Sequence, residues 1–288
     1  MKGEALFNKL WVIESLPSGD LKTGFHLVND QLAHAQFTNE KLEIVYETPT
    51  TKDDFFQVLE KIRQDIVNNQ NFPMIHIDCH GSTNGLSMEN GEQIEWEELR
   101  NILIEINIAC MLNLVIVLAS CNGAYLIKVA SKLDRAPFWA IIGSDKVITA
   151  GSVEENFGAF YSEFFNTLNG DTAITALNQG HGPEDREYYF FSAMGLFVKA
   201  YTKYHQSHCV GKSKKERIEY LLTEALKNPE IKKRGIGWAR EQIKIQLGNN
   251  EGYFNKYLER FFMHDLFGEN KERFSLTYDD FINTYCNP

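Results

Sequence analysis

The chain has 288 residues, of which 43% are hydrophobic and 24% charged, and a formal net charge of −10. This length fits one large domain, or one domain with a helical extension, and no apolar run reaches the about 18 residues that cross a bilayer. Residues 1–210 carry a net charge of −12 and residues 211–288 one of +2, which argues against nucleic acid as the main partner, since such a partner needs a basic face.

Short apolar runs rich in β-branched and aromatic residues alternate with segments of helical periodicity. The apolar runs predict strands at 11–15, 42–47, 74–79, 114–119, 139–144 and 188–195. The periodic segments predict helices near 51–69, 94–111, 123–134, 152–169 and 171–180. Because the strands are apolar without alternation and separated by helices, we expect an α/β fold with a mostly parallel sheet of about six strands, flanked by helices.

Two of these helices begin at residues typical of caps. Thr51 with Asp54, and Ser152 with Glu155, have the spacing of a capped helix start. The segment after about residue 200 also has helical signals, interrupted by Gly and Pro, and contains no convincing strand. There Ser213 and Glu216 have the spacing of a capping box.

The change of pattern predicts two parts, a domain over 1–204 and a helical extension over 205–288. The start of the chain lacks the apolar region and small-residue cleavage site of a signal peptide. The five cysteines, at positions 79, 110, 121, 209 and 286, show no spacing typical of a disulfide framework. We therefore expect free thiols in a reducing compartment and a cytoplasmic protein without a membrane partner.

Two reactive side chains follow consecutive strands of the predicted sheet. His80 comes directly after the run MIHIDC, and Cys121 comes two residues after LVIVLA. One crossover helix joins these strands, so we expect them to be neighbours about 4.8 Å apart. Ligands collect at the carboxyl ends of parallel strands. A thiol there, at the start of a helix and beside an imidazole, meets the needs of a nucleophile and its base.

Glycines next to both residues predict close approach of a substrate. Gly81 follows His80, and Gly123 lies two residues after Cys121. The backbone N–H groups of Gly81 and Cys121 could both point at one oxyanion, as acyl transfer requires.

The motifs HIDCHG (76–81) and VLASCNG (117–123) resemble those of the caspase-like cysteine peptidases, and within them the CHAT group of caspase and separase relatives. The segment IIGSDKVITAGSVEENFGAFYSEFFNTLNGDTAITAL (141–177) is similar to the part of CHAT domains where a strand ends in Ile/Val-Gly and an F…AFY helix follows. The resemblance covers roughly residues 8–200. The order ASCNG departs from the commoner Ser-Ala-Cys pattern, but the thiol stays in place.

The resemblance implies a caspase-like fold, a dyad of His80 and Cys121 without an obligatory acid, and cleavage of protein substrates. It implies no metal or organic cofactor. By analogy with bacterial members it also implies a role in antiviral defence or cell death, in which a partner activates the enzyme. The segment 205–288 has no counterpart in the family. It is either a docking site for a protein activator or regulatory partner, or an ordinary extension that stabilises the domain.

Two other classes of protein remain open. ASCNG approximates a nucleophile elbow with Ala119 in place of the first Gly, as in a cysteine-dependent α/β-hydrolase or amidotransferase. In those folds the histidine follows the nucleophile, so His181 or His205 would be the base. The placement of His80 after a strand favours the first interpretation. The third alternative is a non-catalytic caspase-like binding module, which has no chemical need for an intact Cys and His.

Other candidate side chains are better explained by structure. Cys79 and Cys110 are expected to pack, since Cys79 alternates to the side opposite His80. Asp78 is expected to be a buried, hydrogen-bonded carboxylate rather than the group that orients His80. The stretch HQSHC (205–209) has metal-ligand types but no second cluster at zinc spacing, so we expect the end of a helix there.

The segment 139–152 occupies the place where caspase-like enzymes line the pocket for the residue before the scissile bond. Asp145 follows a predicted strand at the same sheet edge as Cys121, and Glu154 is a second candidate acid. A carboxylate in the pocket would bind Arg or Lys, which predicts cleavage after basic residues. Lys146 complicates this prediction, because it could pair with Asp145 or face the pocket itself.

Overall fold

The structure is a computed structural model that describes residues 5–38, 42–182 and 184–286. The chain divides into two compact units. The first consists of the described residues up to Ala130 together with Arg135–Ala193, and the second of Ser131–Asp134 with the described residues from Met194 onward. The expected functional division between 204 and 205 stays a prediction.

A single sheet forms the centre of the first unit. Its strands are β1 Lys9–Ser15, β2 Glu43–Glu47, β3 Pro73–Gly81, β4 Gly85–Ser87, β5 Gln93–Glu95, β6 Val115–Ala119, β7 Ala140–Ser144 and β8 Tyr188–Ser192. Six of them lie in the order β2-β1-β3-β6-β7-β8. Neighbours from β2 to β7 are parallel, whereas β8 is antiparallel to β7. The predicted α/β fold with a mostly parallel sheet of about six strands is confirmed.

The two remaining strands extend the end of β3. β4 pairs with β3, and β5 pairs with β4, both in the antiparallel direction. The pairing joins His80 to Ser87 and Gly81 to Leu86. Each of these strands has three residues, too few for a periodic pattern, and the sequence analysis missed them for that reason.

Helices connect the strands of the first unit. They are α1 Thr23–His26, α2 Ala33–Thr38, α3 Lys52–Asn69, α4 Trp96–Ala109, α5 Leu126–Ala130, α6 Ala150–Thr167 and α7 Gly170–Leu177. A π-helical segment, Leu27–Leu32, joins α1 to α2, and a 3-10 turn, Gly123–Tyr125, precedes α5. The helix predicted over 123–134 is therefore shorter than expected. It ends at Ala130.

Two of the predicted caps have different outcomes. Thr51 and Asp54 form the predicted capping box of α3. By contrast, α6 begins at Ala150, and the hydroxyl of Thr149 accepts the N–H of Ser152 at 3.1 Å. The prediction that Ser152 caps this helix is wrong, because Thr149 supplies the cap one turn earlier. The hydroxyl of Ser152 instead donates to Glu187 at 2.7 Å.

The core of the first unit explains why its strands lack alternation. Strands β1, β6 and β7 are buried along their whole length, as expected for a sheet covered on both faces. On one face, Val12, Val117 and Ile142 pack in a cluster with Phe157 and Tyr161 of α6. The rings of Phe157 and Tyr188 meet edge to face, with centroids 5.1 Å apart.

In its described residues, the second unit consists of helices joined by turns and loops. It contains most of α8 (Ala193–His208), with α9 Gly211–Ala225, α10 Pro229–Arg234, α11 Ile236–Gly248, α12 Asn250–Phe261, α13 Asn270–Arg273 and α14 Tyr278–Phe281. Its core is aromatic: Phe197 contacts Phe254 at 5.6 Å between centroids, and Tyr201 contacts Phe254 at 4.9 Å and Phe281 at 5.1 Å.

One predicted cap in this unit is wrong. Helix α9 begins at Gly211 after Val210, which makes no side-chain cap, so Ser213 and Glu216 do not form the predicted capping box. Glu216 instead pairs with Lys212 one turn before it, at 3.4 Å. Among the helices that the structure describes, none is both long and apolar enough to cross a membrane.

Candidate active site

The two candidate catalytic residues lie at the ends of adjacent strands. β3 and β6 pair in parallel, and the last pair in register is Asp78 with Ala119. His80 lies two residues after Asp78, and Cys121 lies two residues after Ala119. The neighbouring strands predicted from the sequence are thus present, and they bring His80 and Cys121 to one edge of the sheet.

The backbone of Gly81 lies against the backbone of Cys121. A β-carbon built on Gly81 would lie 2.1 Å from the carbonyl oxygen of Cys121 and 3.1 Å from the β-carbon of Ser120. No side chain fits there, so glycine is required by contact rather than by backbone angle. The contact joins the two segments that carry the N–H groups predicted to hold an oxyanion.

A carboxylate lies beside the histidine. Nε2 of His80 is 2.6 Å from Oδ2 of Asp20, and both side chains are accessible, with 57% and 39% of their surface exposed. Asp20 belongs to the loop that follows β1, and β1 is the neighbour of β3 on the side away from β6. Asp20, His80 and Cys121 therefore follow three successive strands across one sheet edge.

Asp20 was missed by sequence reasoning. The residue stands in the loop LPSGDLKTG, whose Pro and Gly indicate only a turn. A carboxylate shortly after the first strand would have been a candidate had the pairing of β1 with β3 been known. Nothing in the local sequence reports that pairing.

The thiol of Cys121 faces the loop after β7. Its Sγ accepts the backbone N–H of Ile148 at 3.4 Å and lies 3.6 Å from the Ile148 carbonyl oxygen. The next residue, Asn122, has a left-handed backbone with φ of 57° and donates its N–H to the carbonyl of Lys146 at 3.0 Å. The loop 145–149 thus fixes the turn that carries the thiol.

The two candidate specificity acids lie in different surroundings. Asp145 is exposed directly after β7. Glu154 lies on the first turns of α6, where its Oε1 is 2.9 Å from Nδ1 of His26. Glu154 also lines a small pocket together with Thr23, His26 and Asp78, and Asp145 is not among the residues that line it.

Asp78 is a structural carboxylate at the base of that pocket. It is 3% exposed and accepts a hydrogen bond from the hydroxyl of Thr23. Burial raises the pKa of Asp78 to about 7, and the charge of Glu14 adds to this shift. Glu14 accepts the N–H of Gly24 at 2.8 Å and the hydroxyl of Tyr46 at 2.6 Å. The two acids therefore hold the start of α1 against the sheet.

His76 lies two residues before Asp78 on β3. Its Nδ1 is 3.1 Å from the hydroxyl of Tyr161, and its ring meets Phe157 edge to face. Complete burial lowers the pKa of His76 to about 3, so the imidazole is neutral at physiological pH. This histidine packs in the core and does not reach the sheet edge.

The alternative bases lie elsewhere. His181 precedes β8, two strands away from β6, and its Nε2 is 3.8 Å from Glu187. His205 belongs to the second unit, where Nδ1 is 3.8 Å from Sγ of Cys286. His205 lies in the last turn of α8, which ends at His208. Within the described residues, no group of three or more His, Cys, Asp and Glu side chains is placed to hold a metal.

Comparison with known proteins gives a distant structural likeness only. No protein-family model and no curated protein matches the chain. The Drosophila initiator caspase Dronc is similar in structure, with a TM-score of 0.45 and 11% identity over 68% of this chain and 83% of that one. Caspase-1 from Spodoptera frugiperda gives a TM-score of 0.45 and 11% identity over 66% and 88%. We therefore base the functional proposal on the site itself.

Proposed function

We propose that this chain is a cysteine endopeptidase of the caspase-like, CHAT-type group, with Cys121 as nucleophile and His80 as general base and acid. The observation that carries the proposal is the position of these two residues at the ends of adjacent parallel strands, with Gly81 against the carbonyl of Cys121. Acyl transfer needs a nucleophile and a base within reach of each other, and neighbouring strands about 4.8 Å apart supply that reach.

The reaction has two steps. In the first, the thiol proton of Cys121 passes to His80 while the sulfur attacks the scissile carbonyl carbon, and the N–H groups of Gly81 and Cys121 hold the negative oxygen. The C–N bond then breaks, and His80 gives its proton to the leaving amine. In the second step, water loses a proton to His80 and hydrolyses the thioester, which restores the thiol.

The orientation of the thiol adds a requirement to the first step. Sγ of Cys121 contacts the N–H and carbonyl of Ile148, on the β7 side of its strand. His80 lies on the other side, on β3. Attack therefore requires rotation of the Cys121 side chain away from Ile148, which a single side-chain torsion achieves.

Substitution of Cys121, His80 and His181 tests the proposal. The full chain is incubated with a peptide library made from a digested proteome, and mass spectrometry identifies new termini. Cys121→Ala and His80→Ala should each lose at least about 1000-fold in kcat/KM, whereas His181→Ala should retain most activity. Both catalytic variants should unfold at a temperature near that of the wild type, because His80 is exposed and Cys121 half-buried.

The other classes predict different results. If His181→Ala is inactive while His80→Ala cleaves, the chain is a hydrolase with a downstream base. If the wild type and all variants bind a protein partner equally and none cleaves, the chain is a binding module.

For specificity we propose cleavage after basic residues. Glu154 lines a small pocket of the first unit, and Asp145 is an exposed carboxylate directly after β7, outside the lining of that pocket. Carboxylates bind guanidinium and ammonium groups through charge-assisted hydrogen bonds. Glu154→Gln should reduce kcat/KM for Arg substrates more than for neutral ones, and Asp145→Asn tests the second acid. A library in which Asp or a large apolar residue precedes the cut would contradict this specificity.

The wider setting follows from the resemblance and is proposed on that basis. We expect the enzyme to work in the cytoplasm on a protein substrate, within a bacterial defence or cell-death pathway, without metal or organic cofactor. Residues 205–288 would bind an activator or regulatory partner. Exposed apolar side chains there, Tyr220, Ile236, Trp238 and Ile245, support this role. Co-expression with proteins encoded nearby in the genome, followed by mass spectrometry of new termini, tests it.

A further inference from the structure

We infer that Asp20 positions His80 for catalysis, so that the site works as a carboxylate–imidazole–thiol row rather than as a dyad. This inference rests on the proposed peptidase function. The resemblance implied a dyad without an obligatory acid, and the inference adds Asp20 to that dyad.

The chemistry of the contact defines the tautomer of the imidazole. An ionised carboxylate only accepts hydrogen bonds, so at 2.6 Å from Oδ2 of Asp20 the Nε2 of His80 must carry the proton. In the neutral ring Nδ1 is then the nitrogen with a free lone pair. That nitrogen is the one able to take the thiol proton of Cys121. Without Asp20 both tautomers become accessible, and one of them cannot act as a base through Nδ1.

The strand order places the carboxylate of Asp20, the imidazole of His80 and the thiol of Cys121 in that sequence along the sheet edge. Asp20 follows β1 and Cys121 follows β6, on opposite sides of the strand that carries His80. The two ring nitrogens of an imidazole point away from each other. A ring that donates through Nε2 toward the β1 side therefore turns Nδ1 away from that side, which is the direction of Cys121.

The loop that carries Asp20 is itself fixed at both ends. The N–H of Asp20 donates to the carbonyl of Pro17 at 3.0 Å, and the ammonium group of Lys22 donates to the carbonyl of Leu16. Just beyond the loop, Thr23 is bonded to Asp78. These bonds fix the backbone from which the Asp20 carboxylate projects, which makes it suitable for orienting a ring.

Kinetics of the full chain on a peptide cleaved by the wild type test the inference. Asp20→Asn should lower kcat by about 100-fold or more with KM within about twofold, since an uncharged amide no longer favours the Nε2-protonated ring. Asp20→Glu should recover kcat to within about tenfold of the wild type, because it restores the charge. Asp185→Asn, an exposed acid in the loop before β8, controls for the loss of one negative charge and should leave kcat unchanged.

A second measurement needs no activity. In a chain made inert by Cys121→Ala, nitrogen NMR of His80 should show the Nε2-protonated tautomer, and Asp20→Asn should convert it to a mixture. Unchanged or increased kcat in Asp20→Asn would overturn the inference, an increase showing that Asp20 holds His80 away from the thiol. Failure of the proposed function is distinguishable, because the wild type would then not cleave while the tautomer result would still report the Asp20–His80 contact.

Discussion

Gly81 approaches Cys121 so closely that a β-carbon on Gly81 would lie 2.1 Å from the Cys121 carbonyl oxygen. This distance is well below ordinary van der Waals contact, so any side chain must move one of the two backbones. The displaced segments are the ones that carry His80 and Cys121. The contact between the turn that carries Gly81 and the turn that carries Cys121 therefore controls the geometry of the candidate site.

Gly81→Ala should therefore damage both stability and activity. We expect a loss of about 1–3 kcal/mol in the free energy of unfolding, typical of overpacking, and at least about 100-fold in kcat/KM, since small displacements of reacting groups have such effects. Urea unfolding and peptide cleavage measure the two losses. Gly151→Ala is the matched control, because nothing lies within 4 Å of its β-carbon in α6. If Gly81→Ala behaves like Gly151→Ala, the close contact has no importance for the site.

The positions of His80 and Cys121 could be predicted because both follow uninterrupted apolar runs, and a run of that kind reports a buried parallel strand. Asp20 could not be predicted in the same way. Its place beside His80 depends on the pairing of β1 with β3, which are separated in sequence by α1, a π-helical segment, α2, β2 and α3. Contacts between strands distant in sequence leave no periodic signal.

The residue that caps α6 was also not predictable from the sequence. Thr149 and Ser152 are both good capping residues, and the capping-box spacing of Ser152 with Glu155 favoured the wrong one. The structure uses Thr149, which places Ser152 inside α6 and frees its hydroxyl for Glu187. The start of a helix is therefore less predictable than its existence. The same spacing was confirmed at Thr51 and Asp54, which do form a capping box.

The five thiols should differ strongly in their reactivity. Cys79, Cys110 and Cys209 are buried, and burial raises the pKa of Cys79 and Cys209. Cys121 and Cys286 are partly accessible, but burial also raises the pKa of Cys286. Thiolate is the reactive form, so we expect iodoacetamide to label Cys121 first at pH 7.5. Peptide mapping over time measures the order, and earlier labelling of Cys286 would contradict it.

The buried pair Asp78 and His76 predicts an unusual dependence of stability on pH. Burial raises the pKa of Asp78 from 3.8 to about 7, so the folded state keeps a proton that the unfolded state has lost, and stability falls as pH rises from about 4 to 7. Burial lowers the pKa of His76 from 6.5 to about 3, so stability falls as pH decreases from about 6.5 to 3. Between about pH 4 and 6.5 the two effects oppose each other.

Asp78→Asn should separate the contributions that Asp78 and His76 make to the dependence of stability on pH. The amide still accepts a hydrogen bond from Thr23 but cannot ionise, so the variant should be more stable than the wild type at pH 8, by an amount on the order of a few kcal/mol. At pH 4 the two should be similar. Between these limits the variant should gain stability with rising pH, since His76 is no longer opposed. Urea unfolding at pH 4, 6 and 8 measures this, with exposed Asp145→Asn as control. A difference that does not vary with pH would contradict it.

The helical extension should be needed for the order of α8. Within the second unit, Phe197 and Tyr201 on α8 pack against Phe254, and Tyr201 also packs against Phe281. A chain that ends at residue 204 keeps the first two rings and loses the other two. Each fully buried aromatic side chain contributes about 1.5–3 kcal/mol through burial, so this truncation should expose an apolar surface and promote aggregation.

Point variants in the full chain separate that structural role from a regulatory one. Phe254→Ala should lower the free energy of unfolding of the second unit by about 3–5 kcal/mol. Ile245→Ala, at a side chain that is 60% exposed, should change it by less than about 0.5 kcal/mol. Calorimetry resolves these changes, and peptide cleavage is measured on the same samples.

If residues 205–288 dock an activator through their exposed apolar side chains, Ile245→Ala should weaken activation while basal cleavage stays at the wild-type level. Equal activation of Ile245→Ala, of a Trp238→Ala variant and of the wild type would show that these side chains do not bind the activator.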